Sequence, residues 1–138
     1  MFKTIMTPVD MAHPKDLSKS LQCSADLAKH YGAKIVFVAV TSTTPGSVAH
    51  TPEEFKTKLE AFAQEQAEAH GVDATAHMAI SHDPTSDVDD VLLKAVTDTG
   101  ADLVVMQSHM PNIMDYVWPS NGGKIAEHAK SSVMVVRG

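Results

Sequence analysis

Short apolar segments alternate along the chain with longer stretches whose apolar positions recur at helical spacing. This alternation is typical of βαβ units, in which helices connect parallel strands of one sheet. The sequence therefore predicts an α/β fold with a doubly wound parallel sheet of five strands. The predicted strands cover residues 3–9, 33–40, 72–80, 101–106 and 132–136.

Proline, glycine and capping residues mark the predicted helices between these strands. The first helix is expected to end near Gly32, because glycine is a frequent helix stop. A threonine, a proline and two acidic residues open the second helix, which is predicted over residues 51–70. A third helix is predicted over residues 83–100, and residues 41–51 are predicted to form an exposed loop.

The second and fourth predicted strands are apolar without alternation, at residues 35–38 and 103–105. Such continuous apolar runs are expected where helices cover both faces of a sheet. These two strands are therefore predicted to lie in the middle of the sheet. Residues 72–80 alternate only weakly, and this strand is predicted at or near an edge.

The doubly wound arrangement also predicts where a ligand would bind. In such sheets the ligand crevice lies beyond the carboxyl ends of the strands, where the strand order reverses. This rule brings together residues that end or follow three of the predicted strands. They are Pro8, Val9, Asp10, Val40 and Met106.

The length and composition are those of one globular domain over residues 1–138. Hydrophobic residues make up 43% of the chain, and no apolar run approaches the roughly 18 residues that a membrane span needs. The first apolar segment is interrupted by Pro8 and Asp10, so no signal peptide is expected. The single cysteine, Cys23, fits a reducing compartment. We therefore expect a cytoplasmic protein.

The charge pattern narrows the expected partners. The formal net charge is −6, and no cluster of lysine and arginine occurs. This pattern argues against electrostatic binding of nucleic acids or anionic membranes. Small molecules and other proteins remain as the expected partners.

The sequence contains no motif for a metal site, a Walker A loop or a hydrolase nucleophile. The eight histidines form no helical pair with a carboxylate, and no Cys/His cluster could fill a tetrahedral metal site. Gly123–Lys124 lacks the other residues of a Walker A loop, and the G-x-G-x-x-G fingerprint is absent. No G-x-S-x-G nucleophile elbow occurs either. A dedicated enzyme is therefore not expected.

Several segments resemble the universal stress protein family, and the resemblance covers essentially the whole chain. Residues 5–10 resemble the first strand and P-V-D loop of the family, and residues 31–33 its helix-to-strand turn. Residues 100–106 and 133–137 resemble its fourth and last strands. The Ser-His-x-Pro segment at residue 108, followed by Ser-Asn at residue 120, is similar to the F/G-type branch.

The resemblance implies a Rossmann-like sheet in the order 3-2-1-4-5, similar to that of adenine nucleotide alpha hydrolases, with helices on both faces. It further implies a cytoplasmic homodimer that binds ATP or AMP, with Mg²⁺ accompanying ATP. The last strand, Ser132–Val136, is the expected dimer interface, because an apolar strand at a sheet edge needs cover.

The ATP-binding motif of the family is degenerate in this chain. The positions that align with its three glycines hold Gln107, Met110 and Pro119, while Ser120 is retained. Glycine lets backbone amides approach a phosphate closely, whereas Pro119 has no N–H to donate. Gly122 and its neighbour Gly123 could supply replacement amides. Residues 120–123 can therefore be interpreted as a phosphate-binding turn or as a plain helix cap.

The implied nucleotide site contains twelve candidate residues. Asp10 would contact ribose or adenine, although an Asx turn after Pro8 is an alternative role. Val40 resembles the apolar neighbour of adenine, and a core role is its alternative. The full set is Pro8, Val9, Asp10, Val40, Met106, Gln107, His109, Met110, Pro119, Ser120, Asn121 and Gly122.

The sequence thus predicts a universal stress protein that binds an adenine nucleotide in stress response or signalling. Two other functions stay open at this point. The chain could be a dimeric protein-interaction module that no longer binds nucleotides. It could also be a slow ATPase, in which Asp10 or Asp115 positions water or a metal.

Overall fold

The computed structural model describes residues 1–43, 45, 48–82, 88–107, 125 and 129–137. Five strands form one parallel sheet in the order β3–β2–β1–β4–β5, which confirms the expected fold and strand order. The strands are β1 (Thr4–Pro8), β2 (Lys34–Thr41), β3 (Ala74–Ile80), β4 (Leu103–Gln107) and β5 (Ser132–Val136). The helices are α1 (Ser18–Tyr31), α2 (Pro52–His70) and α3 (Val88–Thr99), and a 3-10 turn, Pro14–Leu17, precedes α1.

The strand ends differ slightly from the sequence-based prediction. Strand β2 continues to Thr41 because this residue still pairs with Ile80 on β3. Strand β4 likewise continues to Gln107, which pairs with Val136 on β5. The predicted start of the third helix falls on residues 83–87, which lie outside the described residues.

Glycine ends the first two helices, and for α1 the sequence predicts this stop at Gly32. Gly32 and Gly71 both have φ near +65°, in the left-handed region that a residue with a Cβ rarely adopts. At its other end, α2 begins with the predicted cap, since the Thr51 side chain accepts a hydrogen bond from the Glu54 backbone N–H. All three boundaries therefore follow from local interactions between neighbouring residues.

Apolar cores lie on both faces of the sheet. The first core lies between the sheet and helices α1 and α2, and contains Ile5 and Leu59. The second core lies on the α3 side, and contains Met6 and Leu92. Consecutive residues of β1 thus enter opposite cores, which explains why the central strands are apolar without alternation. No helix within the described part of the chain is long and apolar enough to cross a membrane.

Asp102 connects the start of β4 to the start of β1. Its carboxylate accepts hydrogen bonds from the backbone N–H of Lys3, at 2.9 Å, and from that of Thr4, at 3.1 Å. Burial alone would raise the pKa of the Asp102 carboxyl, but these backbone hydrogen bonds outweigh burial and hold the pKa below its ordinary value. The carboxylate therefore stabilises the folded state.

We expect Asp102→Asn to lower the free energy of unfolding by about 1 to 2 kcal/mol at pH 7, because charged hydrogen bonds to a partly exposed group are replaced by weaker neutral ones. A carboxyl with a lowered pKa stabilises the fold above its unfolded pKa and loses this effect as pH falls through its folded pKa. The difference between variant and wild type should therefore shrink below about pH 4. Urea unfolding at pH 7 and pH 3 measures it. An equal loss of unfolding free energy at both pH values would contradict this role of the Asp102 carboxylate. Asp98→Asn on α3 is the control.

Candidate functional site

The strand order reverses between β1 and β4. The chain runs outward from β1 through β2 to β3, and then crosses to the other side of β1 to form β4 and β5. A doubly wound sheet opens a crevice at this reversal, beyond the carboxyl ends of the strands. We call it the crevice, and six of the predicted site residues lie at its strand ends. They are Pro8, Val9, Asp10, Val40, Met106 and Gln107.

Pro8 and Val9 position the chain as it leaves β1. The Val9 backbone N–H donates to the carbonyl of Val38 on β2 at 2.8 Å, which holds this segment against the neighbouring strand. Both residues are buried, and the side chain of Val9 packs in the first core. Val9 can therefore reach a ligand only through its backbone.

Asp10 follows directly and presents a carboxylate at the crevice. One oxygen accepts the backbone N–H of Ala12 at 3.0 Å, so the Asx turn expected as an alternative is present. The other oxygen lies 3.2 Å from Nδ1 of His13. A carboxylate has about four acceptor positions, and the Asp10 side chain is 20% exposed. Acceptor capacity therefore remains for a further donor such as a sugar hydroxyl.

His13 is a residue of this site that sequence reasoning missed. Its backbone N–H donates to the Asp10 carbonyl at 3.1 Å, and its ring contacts the Asp10 carboxylate. The Asp-x-x-His spacing directly after a strand was the available signal. The contact fixes the orientation of the Asp10 side chain.

Val40 and Met106 form apolar parts of the crevice on the α3 side of the sheet. Val40, at the end of β2, is half-buried against the second core, so part of its side chain remains accessible. Met106, on β4, is fully buried in the same core. Val40 can therefore contribute side-chain surface to a ligand, whereas the side chain of Met106 cannot.

Gln107 ends β4 and is only 2% exposed. Its side-chain oxygen Oε1 accepts the backbone N–H of Ser20, in the first turn of α1, at 3.3 Å. One turn further along α1, the Ser24 hydroxyl is hydrogen-bonded to the Thr7 hydroxyl of β1 at 2.8 Å. A buried polar cluster therefore connects the ends of β1 and β4 to α1, which the sequence analysis did not anticipate.

The other predicted site residues lie outside the described residues. They are His109, Met110, Pro119, Ser120, Asn121 and Gly122. Their roles therefore stay predictions. Among the residues that the structure does describe, no group of three His, Cys, Asp or Glu side chains could hold a metal ion.

Comparison with known proteins finds relatives that match this chain over almost its whole length. The chain is 27% identical to universal stress protein G of Salmonella typhimurium over 146 residues, which cover 99% of this chain and 100% of that protein.

Two solved structures with bound nucleotides share the fold. One is a universal stress protein family protein from Arabidopsis thaliana with AMP bound, with a TM-score of 0.63, 19% identity, and coverage of 98% of this chain and 90% of that one. The other is the Archaeoglobus fulgidus universal stress protein in complex with dAMP, with a TM-score of 0.64, 16% identity and 96% coverage of both chains. The model of the universal stress protein family matches residues 1–137. This chain belongs to the universal stress protein family.

Proposed function

We propose that this protein binds an adenine nucleotide, ATP or AMP, in the crevice, and acts in stress response or signalling in the cytoplasm. The observation that carries the proposal is the Asp10 carboxylate, which keeps acceptor capacity at the point where the strand order reverses. The accessible part of Val40 would provide an apolar contact for the base. The fold shared with proteins that hold AMP and dAMP supports this choice of ligand.

The crevice is better equipped for the adenosine part of the ligand than for its phosphates. Asp10 offers acceptors for hydroxyl groups, and Val40 keeps accessible apolar surface. The sequence, in contrast, removes one amide donor at Pro119 and adds a bulky side chain at Met110. Binding energy should therefore come mainly from the nucleoside.

Calorimetry with adenosine, AMP and ATP tests the proposed function. We expect AMP and ATP to bind with dissociation constants within about tenfold of each other. Asp10→Asn should weaken all three ligands, because it replaces a charged acceptor by a neutral amide of the same size. Asp26→Asn, on the exposed face of α1, should weaken none.

ATP that binds more than about tenfold tighter than AMP would contradict the division between nucleoside and phosphates. If the protein binds none of the three ligands, the proposed function is wrong. The alternative function, a dimeric protein-interaction module, then applies. That second function is favoured by Gln107, whose side chain fills space where the family motif has a glycine.

Release of labelled phosphate from ATP, with and without Mg²⁺, tests the slow-ATPase alternative.

We further propose that the protein is a homodimer through β5. This strand lies at one edge of the sheet, and Met134 and Val135 expose apolar side chains there. An edge strand also carries backbone N–H and C=O groups that can pair with a second copy. Pairing of two β5 strands would cover both features at once.

A further inference from the structure

The carboxamide of Gln107 has a fixed orientation. Its oxygen must face Ser20, because the Ser20 backbone N–H is a donor and would repel the NH₂ group in the flipped arrangement. The nitrogen Nε2 and its two hydrogens therefore point away from this contact. Nε2 is completely buried, and no described residue accepts a hydrogen bond from it.

A buried donor without a partner is rare in proteins, because it loses its hydrogen bonds to water without replacement. The opposite end of the same carboxamide is held by α1, so the side chain cannot rotate to satisfy the nitrogen without losing the bond to Ser20. An ordered water or an oxygen of a bound ligand can supply the acceptor that Nε2 lacks. The position of Gln107 in the sheet indicates where that acceptor comes from.

The paired residues of β1 and β4 locate Gln107 beside the crevice. Ile5 pairs with Leu103 and Met6 with Val104. Continuing this parallel register places Gln107 level with Val9, one residue before Asp10, on a neighbouring strand about 5 Å away. The unpartnered donor and the Asp10 carboxylate therefore belong to the same strand ends.

We propose that Gln107 is a specificity-determining residue of the crevice, whose Nε2 donates a hydrogen bond to an oxygen of the bound nucleotide. The oxygen belongs to the phosphate nearest the ribose or to the ribose itself. The inference rests on the proposed nucleotide binding and deepens it. A neutral amide donor complements the Asp10 acceptor, so the two strands select a ligand that carries both hydroxyl donors and oxygen acceptors.

This role differs from that of a glycine in the same position. The family motif uses glycine so that backbone amides can approach the phosphates. In this chain the side chain of Gln107 supplies a donor instead, and Ser20 holds it in place. The substitution thus replaces a backbone donor by a side-chain donor on a rigid strand end.

The test compares Gln107→Glu with wild type by calorimetry, with AMP and adenosine as the probes. Glutamate keeps an oxygen for Ser20 but replaces the Nε2 donor by a charged acceptor. We expect AMP affinity to fall by roughly tenfold to a hundredfold, the usual range for a hydrogen bond to a charged group. If the acceptor is a phosphate oxygen, adenosine affinity falls much less; if it is a ribose oxygen, both fall alike. Gln64→Glu, on the exposed face of α2, is the matched control and should change neither affinity.

A second variant separates ligand binding from a purely structural role. Gln107→Met has a similar shape and removes the unpartnered donor together with the acceptor for Ser20. In the ligand-free protein we expect its melting temperature to stay within about 3 °C of wild type, while its AMP affinity falls by roughly tenfold.

The outcomes that overturn the inference are distinct from those that overturn the proposed function. If wild type and Gln107→Glu bind AMP equally well, the inference is wrong and the proposed function stands. The same holds if Gln107→Met keeps its AMP affinity, because the ligand then does not depend on the Nε2 donor. Wild type that binds no adenine nucleotide sinks the inference and the proposed function together.

Discussion

Replacing Val135 with lysine is expected to convert the protein from a dimer into a monomer at micromolar concentration. The Val135 side chain is 38% exposed on β5, the edge strand proposed as the interface. Twofold symmetry would bring two lysines into one interface, where each charge loses water and faces a like charge. A cost of several kcal/mol would raise the dissociation constant by roughly a hundredfold to a thousandfold. Small-angle scattering and light scattering measure the change in mass.

The other edge of the sheet provides a matched control. Ile80 ends the edge strand β3 and is 42% exposed, so it is as accessible as Val135 and also apolar. Ile80→Lys introduces the same charge on the opposite edge and should leave the dimer intact. Circular dichroism of both variants checks that each still folds. A wild-type monomer, or a dimer that survives Val135→Lys, would contradict the proposed interface.

The sheet could be predicted almost completely from the sequence, because its signals are local. Continuous apolar runs identify strands that are buried on both faces, and the structure places β2 and β4 inside the sheet. Thr51 and Gly71 mark the ends of α2 through a cap and a left-handed turn, each of which involves neighbouring residues only. The strand order came from the family resemblance rather than from any one segment.

The contacts inside the crevice could be predicted only in part. Asp10 follows a predicted strand and Val40 ends one, and both lie at the expected strand ends. The contact between Gln107 and Ser20 was missed because it joins residues 87 positions apart, and no periodicity reports such a pair. The contact of His13 with Asp10 is local. It was missed because a histidine three residues after an aspartate does not by itself indicate a contact.

Gln107 also changes how the degenerate motif is interpreted. From the sequence, glutamine in place of glycine is simply a loss, since the backbone can no longer approach a phosphate as closely. The buried carboxamide shows that the residue brings a donor of its own to the strand end. The effect of the remaining departures, Met110 and Pro119, depends on whether residues 120–123 bind phosphate.

Pro119→Gly should raise ATP affinity by about tenfold to a hundredfold while adenosine affinity stays nearly level. Glycine restores one backbone N–H and releases the fixed φ of proline, directly before Ser120. One hydrogen bond to a charged phosphate is worth roughly 1.5 to 3 kcal/mol, less the cost of ordering a more flexible residue. Calorimetry with ATP and adenosine on the same protein preparation measures both affinities.

The control for this prediction adds bulk to the glycine pair that follows Ser120. Gly122→Val with Gly123→Val, combined with Pro119→Gly, should crowd the phosphates and abolish the gain in ATP affinity, because each valine places a branched side chain where an amide would approach the ligand. Adenosine affinity should again be unchanged, since the proposed nucleoside contacts are at Asp10 and Val40. If Pro119→Gly leaves ATP affinity unchanged, or strengthens adenosine equally, residues 120–123 form a helix cap rather than a phosphate site. Any phosphate recognition would then depend on the strand ends, where Nε2 of Gln107 is the proposed donor.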